Sequence, residues 1–119
     1  MTNEEILRVY KGISDLNEKN IPLNIKTSYI LAKNRQALIP FINIIENERA
    51  KLYQKYGEKQ DDFTFTIPKE NIKKLEEELN ILMEIKNKIE LTKLMLKDFG
   101  ENEININILE NLMPIIIEE

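Results

Sequence analysis

The sequence contains no cysteine, no histidine and no tryptophan. The absence of cysteine excludes disulfide bonds, a thiol nucleophile and thiolate metal sites. The absence of histidine removes the commonest general base and the commonest transition-metal ligand. A carboxylate site for Mg²⁺ or Ca²⁺ stays open, although no acidic calcium-loop pattern occurs. From these absences we expect a protein that is not an enzyme and that uses no metal and no cofactor.

Glycine is scarce and the apolar runs are short. With only three glycines, the chain has no phosphate-binding loop. No window approaches the roughly 20 apolar residues of a membrane span, and the acidic opening "MTNEEILRVYKG" does not resemble a signal peptide. Ser28 has neither a histidine nor an oxyanion-hole motif to support a Ser–Lys pair with Lys26 or Lys33. The consecutive carboxylates Glu76–Glu78 diverge around a helix and predict a solvated face.

The composition is that of one folded domain. The chain has 119 residues, of which 42% are hydrophobic and 32% charged, and we expect a single domain over residues 1–119. The net charge of −4 is unevenly spread, because residues 21–60 carry a net charge of +4 and residues 61–119 a net charge of −7. The two halves either neutralise each other within the fold or present two faces to partners.

Apolar residues at helical spacing predict two helices in the first half of the chain. Thr2 and Glu5 form a capping-box pattern for a helix over Asn3–Asn17. A second helix is predicted from near Pro22 to Tyr56, with Gly57 as a left-handed stop. Pro40 removes one backbone hydrogen bond from this helix, and we expect a kink there rather than a full break.

The second half of the chain mixes helix and strand. Residues 63–67, "FTFTI", alternate as a short strand, and Pro68 opens a third helix with one apolar face. The alternation in "IKNKIEL" predicts a strand over residues 85–91, with a longer third helix as the alternative. Asn107 and Glu110 predict the cap of a short last helix. The predicted fold is α+β and helix-dominated: one long kinked helix packed on the third helix, with a small two- or three-stranded sheet.

Four lysines of the second helix form a basic stripe. At 100° per residue, Lys26, Lys33, Lys51 and Lys55 fall within roughly 40° of one another. Such a stripe is typical of a surface that follows phosphates. The alternative is that these lysines extend around a core-facing seam.

Some apolar residues lie off the predicted core faces. Tyr29 and Ile44 fall outside the main apolar arc of the second helix, and "LMPIII" near the C-terminus is strongly apolar. We interpret these residues as contacts with a protein partner or in a homo-oligomer. The alternative is that another element of the same chain covers them.

Arg49 falls inside the apolar arc of the second helix. A buried unpaired charge is costly, so its guanidinium must reach either solvent or a carboxylate. We expect a buried pair with a carboxylate of the third helix or of residues 98–119. Solvent exposure and contact with a partner are the alternatives.

Four segments carry a resemblance to a known family: "IPLNIKTSYILAKN", "ENERAKLYQKYGE", "IPKENIKKLEEELNILMEI" and "ININILENLMPII". Together they span most of the chain. In order and character they resemble a family of small phage and prophage proteins, known only as a domain of unknown function, from tailed phages of low-GC Gram-positive hosts. Pro40 and the cationic "EIKNKIEL" depart from the family's pattern. The resemblance implies a phage origin, action in the host cytoplasm and a protein partner.

Two functions follow as hypotheses. The first is a phage-encoded, non-enzymatic protein that acts by protein–protein contact, in virion assembly or by inhibiting a host defence protein. The second is a nucleic-acid-binding accessory protein that uses the lysine stripe.

Overall fold

A computed structural model describes residues 1–59 and 64–117, and it confirms a helix-dominated α+β fold. The described elements are, in chain order, α1 (Asn3–Glu18), α2 (Ile25–Tyr56), β1 (Glu58–Lys59), β2 (Phe65–Thr66), α3 (Lys69–Glu84), β3 (Leu94–Met95), α4 (Ile106–Leu112) and β4 (Ile116–Ile117). Two short 3₁₀ helices, Leu96–Phe99 and Met113–Ile115, precede α4 and β4 respectively. None of the described helices combines the length and apolar character that crossing a membrane requires.

Helix α1 begins and ends through local hydrogen bonds. The predicted capping box is confirmed, because Thr2 Oγ1 accepts from the Glu5 backbone N–H and Glu5 Oε1 accepts from the Thr2 N–H. That backbone hydrogen bond is the main reason why the pKa of Glu5 is lowered. At the other end, Asn20 takes a left-handed conformation with φ of 52°. The Ile21 N–H then donates to the Leu16 carbonyl, which completes a Schellman motif without glycine.

Helix α2 runs through Pro40 without ending. It begins at Ile25, where Asn24 Oδ1 accepts from the Thr27 N–H. It ends before Gly57 as predicted, but the left-handed stop is wrong. Gly57 has φ −101° and ψ 160°, because the chain leaves the helix directly into β1 in an extended conformation.

The strands form two separate ladders. β1 pairs with β2 in the antiparallel direction, while β3 pairs with β4 in the parallel direction. The predicted strand over residues 63–67 is confirmed at its centre, whereas Phe63 lies outside the described residues. The longer third helix is wrong, because α3 ends at Glu84.

Residues 85–93 are extended but enter a ladder at one position only. Lys86 forms an antiparallel bridge with Thr2, and the next ladder begins at Leu94. The predicted strand over 85–91 is therefore wrong as a continuous strand. The alternation arises because Ile89 and Leu91 pack against the core while Lys88 and Glu90 are exposed.

Side-chain amides and a hydroxyl bond to backbone groups within this segment and on either side of it. Asn34 Nδ2 donates to the Thr92 carbonyl and Asn34 Oδ1 accepts from the Thr92 N–H, both at 2.9 Å. Thr27 Oγ1 donates to the Asp98 carbonyl at 2.9 Å. Asn3 Nδ2 donates to the Leu82 carbonyl at 2.7 Å. These three buried polar side chains hold the end of α3, the extended segment and the first 3₁₀ helix on α1 and α2, because each bonds to a backbone group there.

The main core lies where α1, α2, α4 and the extended segment meet. Its largest fully buried side chains are Ile6, Val9, Leu38, Ile45, Leu112 and Ile115. Gly12 permits the close crossing of α1 and α4, since a Cβ there would lie 2.8 Å from Leu112 Cδ2. The predicted cap of α4 is wrong by two residues, because Asn105 rather than Asn107 accepts the first-turn N–H. Asn107 already lies inside the helix.

Candidate functional site

The structure brings six of the seven sequence-predicted site residues together on one face of α2. All six side chains are exposed, and at 100° per residue they fall within an arc of roughly 80°. We call this surface the lysine face, and it consists of Lys26, Tyr29, Lys33, Ile44, Lys51 and Lys55. No aspartate or glutamate of α2 falls inside the arc. Because α2 has 32 residues, the face extends over about 45 Å.

Two of the four lysines on this face already have carboxylate partners. Lys51 Nζ lies 3.0 Å from Glu48 Oε1, and Lys55 Nζ lies 3.2 Å from Glu78 Oε1 on α3. The Tyr56 hydroxyl, followed by Glu78, raises the pKa of Lys55. Within the described part of the chain, Lys26 and Lys33 form no ion pair. The unpaired positive charge of the face therefore lies in its N-terminal half.

Large apolar side chains interrupt the charged ones. Tyr29 is 65% exposed and Ile44 61% exposed, and Ile25, just outside the arc, is 88% exposed. Neither predicted contact residue is covered by another element of the chain.

The C-terminal "LMPIII" is divided. Leu112 and Ile115 are buried in the main core and Ile116 packs against it, so for these three residues the alternative, coverage by the same chain, is confirmed. Met113 and Ile117 are exposed.

Arg49 does not belong to the lysine face, and its predicted partner is wrong. Its NH1 group lies 3.1 Å from Glu46 Oε1, one turn earlier on α2, and 36% of its side chain is exposed. The burial that periodicity predicted does not occur because no described α2 residue beyond Ile45 belongs to the main core. The pair is a local, partly solvated one.

A cleft between the C-terminal end of α1 and the N-terminal half of α2 was missed by the sequence analysis. Its volume is about 360 Å³. Apolar and polar side chains line it: Ile13, Leu16, Ile21, Leu23, Leu31, Ala32, Asn17, Asn20, Ser28 and Arg35. We call it the Arg35 cleft. One sequence signal existed, because Arg35 lies beside the apolar arc of α2 and its neighbours on the helix are neutral.

Arg35 has an uncommon environment for an arginine. Its guanidinium carbon lies 5.5 Å from the centre of the Tyr10 ring. Its Nε atom is buried and has no hydrogen-bond partner, and the side chain forms no ion pair in the described residues. The cation–π contact with Tyr10 favours this position of the guanidinium, and the Nε–H group is shielded from solvent without an acceptor among the described residues.

The structure separates the residues of the candidate Ser–Lys pair. Ser28 lies on the cleft side of α2, while Lys26 and Lys33 lie on the lysine face, about 150° away around the helix. Among residues 1–59 and 64–117, no three aspartates or glutamates are grouped so that they could hold a metal ion.

The comparison with known proteins finds no family model, no curated protein and no solved structure that matches the chain.

Proposed function

We propose that this is a phage-encoded, non-enzymatic protein that acts in the host cytoplasm by binding another protein through the lysine face. The observation that carries the proposal is a carboxylate-free helix face on which exposed lysines alternate with exposed Tyr29 and Ile44. Exposed tyrosine and isoleucine at helical spacing are typical of a surface that a partner helix covers. The phage origin rests on the sequence resemblance.

The chemistry of the face selects the kind of partner. Lys26 and Lys33 supply unpaired positive charge beside Tyr29 and Ile25. An acidic amphipathic helix would match this pattern, because its carboxylates would meet the lysines while its apolar residues would cover the tyrosine and isoleucines. We propose as the partner a virion-assembly protein or a host defence protein that presents such a helix. A second copy of the chain is an alternative occupant, since residues 61–119 are acidic.

The second candidate, nucleic-acid binding, is favoured by the lysine stripe alone. Phosphate tracking would depend mainly on Lys26 and Lys33, because Lys51 and Lys55 pair with Glu48 and Glu78. Seven residues along a helix separate the two by about 10 Å, which suits only a couple of phosphates. The exposed isoleucines have no role in such a contact. We therefore place protein binding first.

The test is affinity capture from infected cells followed by binding measurements with the purified captured protein. We expect Tyr29→Ser and Ile44→Ser to weaken binding about tenfold or more, and Lys26→Glu with Lys33→Glu to weaken it in a salt-dependent manner. The matched apolar control is Ile81→Ser, because Ile81 is 65% exposed but lies on α3. The matched charge control is Lys73→Glu with Lys74→Glu, also on α3.

Two results would overturn the proposal. Equal losses in the α2 and α3 variants would show that the lysine face is not the contact. A low-salt gel shift with DNA or RNA that disappears in Lys26→Glu with Lys33→Glu, but survives Ile44→Ser, would establish the nucleic-acid alternative instead. Concentration-dependent self-association abolished by Ile44→Ser would identify a second copy as the occupant.

A further inference from the structure

The C-terminal half of the lysine face contains a shallow hollow, which we call the Ala50 hollow. Its volume is about 380 Å³, and six α2 side chains line it: Ile44, Asn47, Glu48, Ala50, Lys51 and Gln54. Ala50 is exposed and has only a methyl side chain, whereas the residues around it are longer, so the helix surface is depressed there. Two of the lining residues, Ile44 and Lys51, already belong to the lysine face.

The spacing of the lining residues is that of the holes in a coiled coil. In such a helix pair, each side chain that points at the facing helix enters a hole formed by four of its residues, at positions i, i+3, i+4 and i+7. One such set is Ile44, Asn47, Glu48 and Lys51, and the next is Asn47, Ala50, Lys51 and Gln54. The hollow therefore consists of two successive holes, and it suits a facing helix that inserts two neighbouring side chains.

The chemistry of the lining selects aliphatic side chains for these holes. Ile44 is 61% exposed, and Ala50 and the methylene stem of Lys51 add apolar surface beside it. Lys51 Nζ lies 3.0 Å from Glu48 Oε1, so the two charges at the rim of the hollow neutralise each other. An inserted side chain therefore needs no charge of its own, and leucine or isoleucine would bury apolar surface against Ile44.

The unpaired positive charge lies further along the same face. Lys33 forms no ion pair within the described residues, and it lies about 24 Å along α2 from the middle of the hollow. Lys26 lies about 10 Å beyond Lys33. A helix that fills the hollow and continues along α2 would meet these lysines with acidic side chains about 16 and 23 residues from its inserted ones.

We propose that the protein partner docks as a helix that inserts two aliphatic side chains, three or four residues apart, into the Ala50 hollow. This inference rests on the proposed function, and it names the anchor of the partner helix. Towards the N-terminal end of α2, carboxylates of the same helix pair with Lys33 and Lys26. The hollow holds the helix by apolar contact, and the lysines set its direction.

Designed peptides test the anchor without the captured partner. The full probe is a helical peptide of about 30 residues, with leucine at two positions about four residues apart near one end and glutamate about 16 and 23 residues away. A second peptide has alanine for both leucines, a third has glutamine for both glutamates, and each is made in both chain directions. We expect the full probe to shift the backbone amide resonances of Ile44, Asn47 and Ala50, with an affinity about tenfold above that of the alanine peptide. Its affinity should fall with salt, unlike that of the glutamine peptide.

Two matched variants locate the effect on α2. Ala50→Leu fills the hollow, and we expect it to weaken binding of the full probe about tenfold. Ala32→Leu is the control, because 18 residues make five helical turns and place Ala32 at the same angle as Ala50 but outside the hollow. It should leave the affinity within about twofold. Both alanines are exposed, so the circular dichroism spectra of the two variants should match that of the wild type.

Three results with the probes would overturn the inference. The first is the absence of shifts around the hollow with the full probe, or equal affinities of the leucine and alanine peptides. The second is an equal effect of Ala50→Leu and Ala32→Leu. The third is self-association of the protein that Ala50→Leu abolishes, which would place a second copy in the hollow instead of a partner helix.

The captured partner separates this inference from the proposed function. If Tyr29→Ser and Lys26→Glu with Lys33→Glu weaken its binding but Ala50→Leu does not, the lysine face stands and the anchor in the hollow is wrong. If Ala50→Leu weakens its binding but those variants do not, the anchor stands and the proposed contacts in the N-terminal half of the face are wrong.

Discussion

The two ends of the long helix α2 lie in different surroundings. The body, formed by α1, residues 25–45 of α2 and residues 85–117, contains the whole main core. The arm, formed by residues 46–59 and 64–84, has two buried hydrophobic side chains among those described, Leu75 and Leu82, and neither belongs to the main core. The same helix therefore contributes to a packed core at one end and to a thin two-helix extension at the other.

The polar contacts of the two regions differ as well, because those of the body are buried and those of the arm are partly exposed. In the body, Asn3, Thr27 and Asn34 are buried and bond to backbone groups. In the arm, ion pairs such as Lys55–Glu78 join partly exposed side chains. Buried hydrogen bonds are costly to break because a polar group is left without water, whereas exposed ion pairs contribute little. The comparison teaches that stability resides in the body and that the arm depends on it.

The largest expected effect is on the free energy of unfolding, and it appears when one buried leucine from each region is replaced by alanine. Leu112 is fully buried in the body, and Leu112→Ala should lower the free energy of unfolding by about 3–5 kcal/mol because the surrounding helices cannot close the cavity. Leu75 is also buried but lies in the arm, outside the main core, where partly exposed neighbours can relax into the space, and Leu75→Ala should cost about 2 kcal/mol or less. Urea unfolding of both variants measures the difference.

Hydrogen exchange provides the control for this pair. In the wild type, α3 amides should exchange through local opening, while α1 amides should exchange only through global unfolding. Leu75→Ala should then accelerate exchange in α3 alone. Equal costs for the two leucines, with uniform acceleration across both regions, would mean that the arm and the body form one cooperative core.

A smaller effect is expected at Asn34. Asn34→Ala leaves the N–H and carbonyl of Thr92 without their partners, and we expect a loss of about 2 kcal/mol. Asn43→Ala is the matched control, because Asn43 lies exposed on the same helix and gains the same helix propensity. It should change stability by less than about 0.5 kcal/mol. Equal behaviour of the two variants would contradict the role of Asn34 in holding residues 85–93.

Asn34 also shows which features can be predicted from the sequence and which cannot. At 100° per residue, Asn34 falls within the apolar arc of α2, so its inward position follows from periodicity alone, as do the approximate bounds of α1 and the N-terminal start of α3. Its partner was not visible, because Thr92 lies 58 residues away in the chain and satisfies the amide only once residues 85–93 cross α2. Local patterns predict elements, whereas side-chain bonds to distant backbone depend on packing.

The two candidate sites also differ in whether the sequence could predict them. The lysine face follows from helical geometry, so the sequence placed Lys26, Lys33, Lys51 and Lys55 together correctly. The Arg35 cleft forms between two helices and a Schellman turn. Neither helix alone indicates a cleft. The left-handed position of the turn is occupied by Asn20, whereas glycine is the usual residue there. No pattern within one element could reveal it.

The smallest expected effect is at Arg49, in the arm. If Arg49 formed the buried pair that the sequence predicts, Arg49→Met would strand a carboxylate and cost roughly 3 kcal/mol. The structure instead shows a partly exposed pair with Glu46, so the expected change in unfolding free energy is below about 0.5 kcal/mol. Glu46→Gln should be equally mild, because Glu46 is itself exposed and the Arg49 guanidinium that loses its partner is partly solvated. A loss above about 2 kcal/mol for Arg49→Met would require that a buried carboxylate had lost its partner, and would mean that the arm holds a second core which the body does not share.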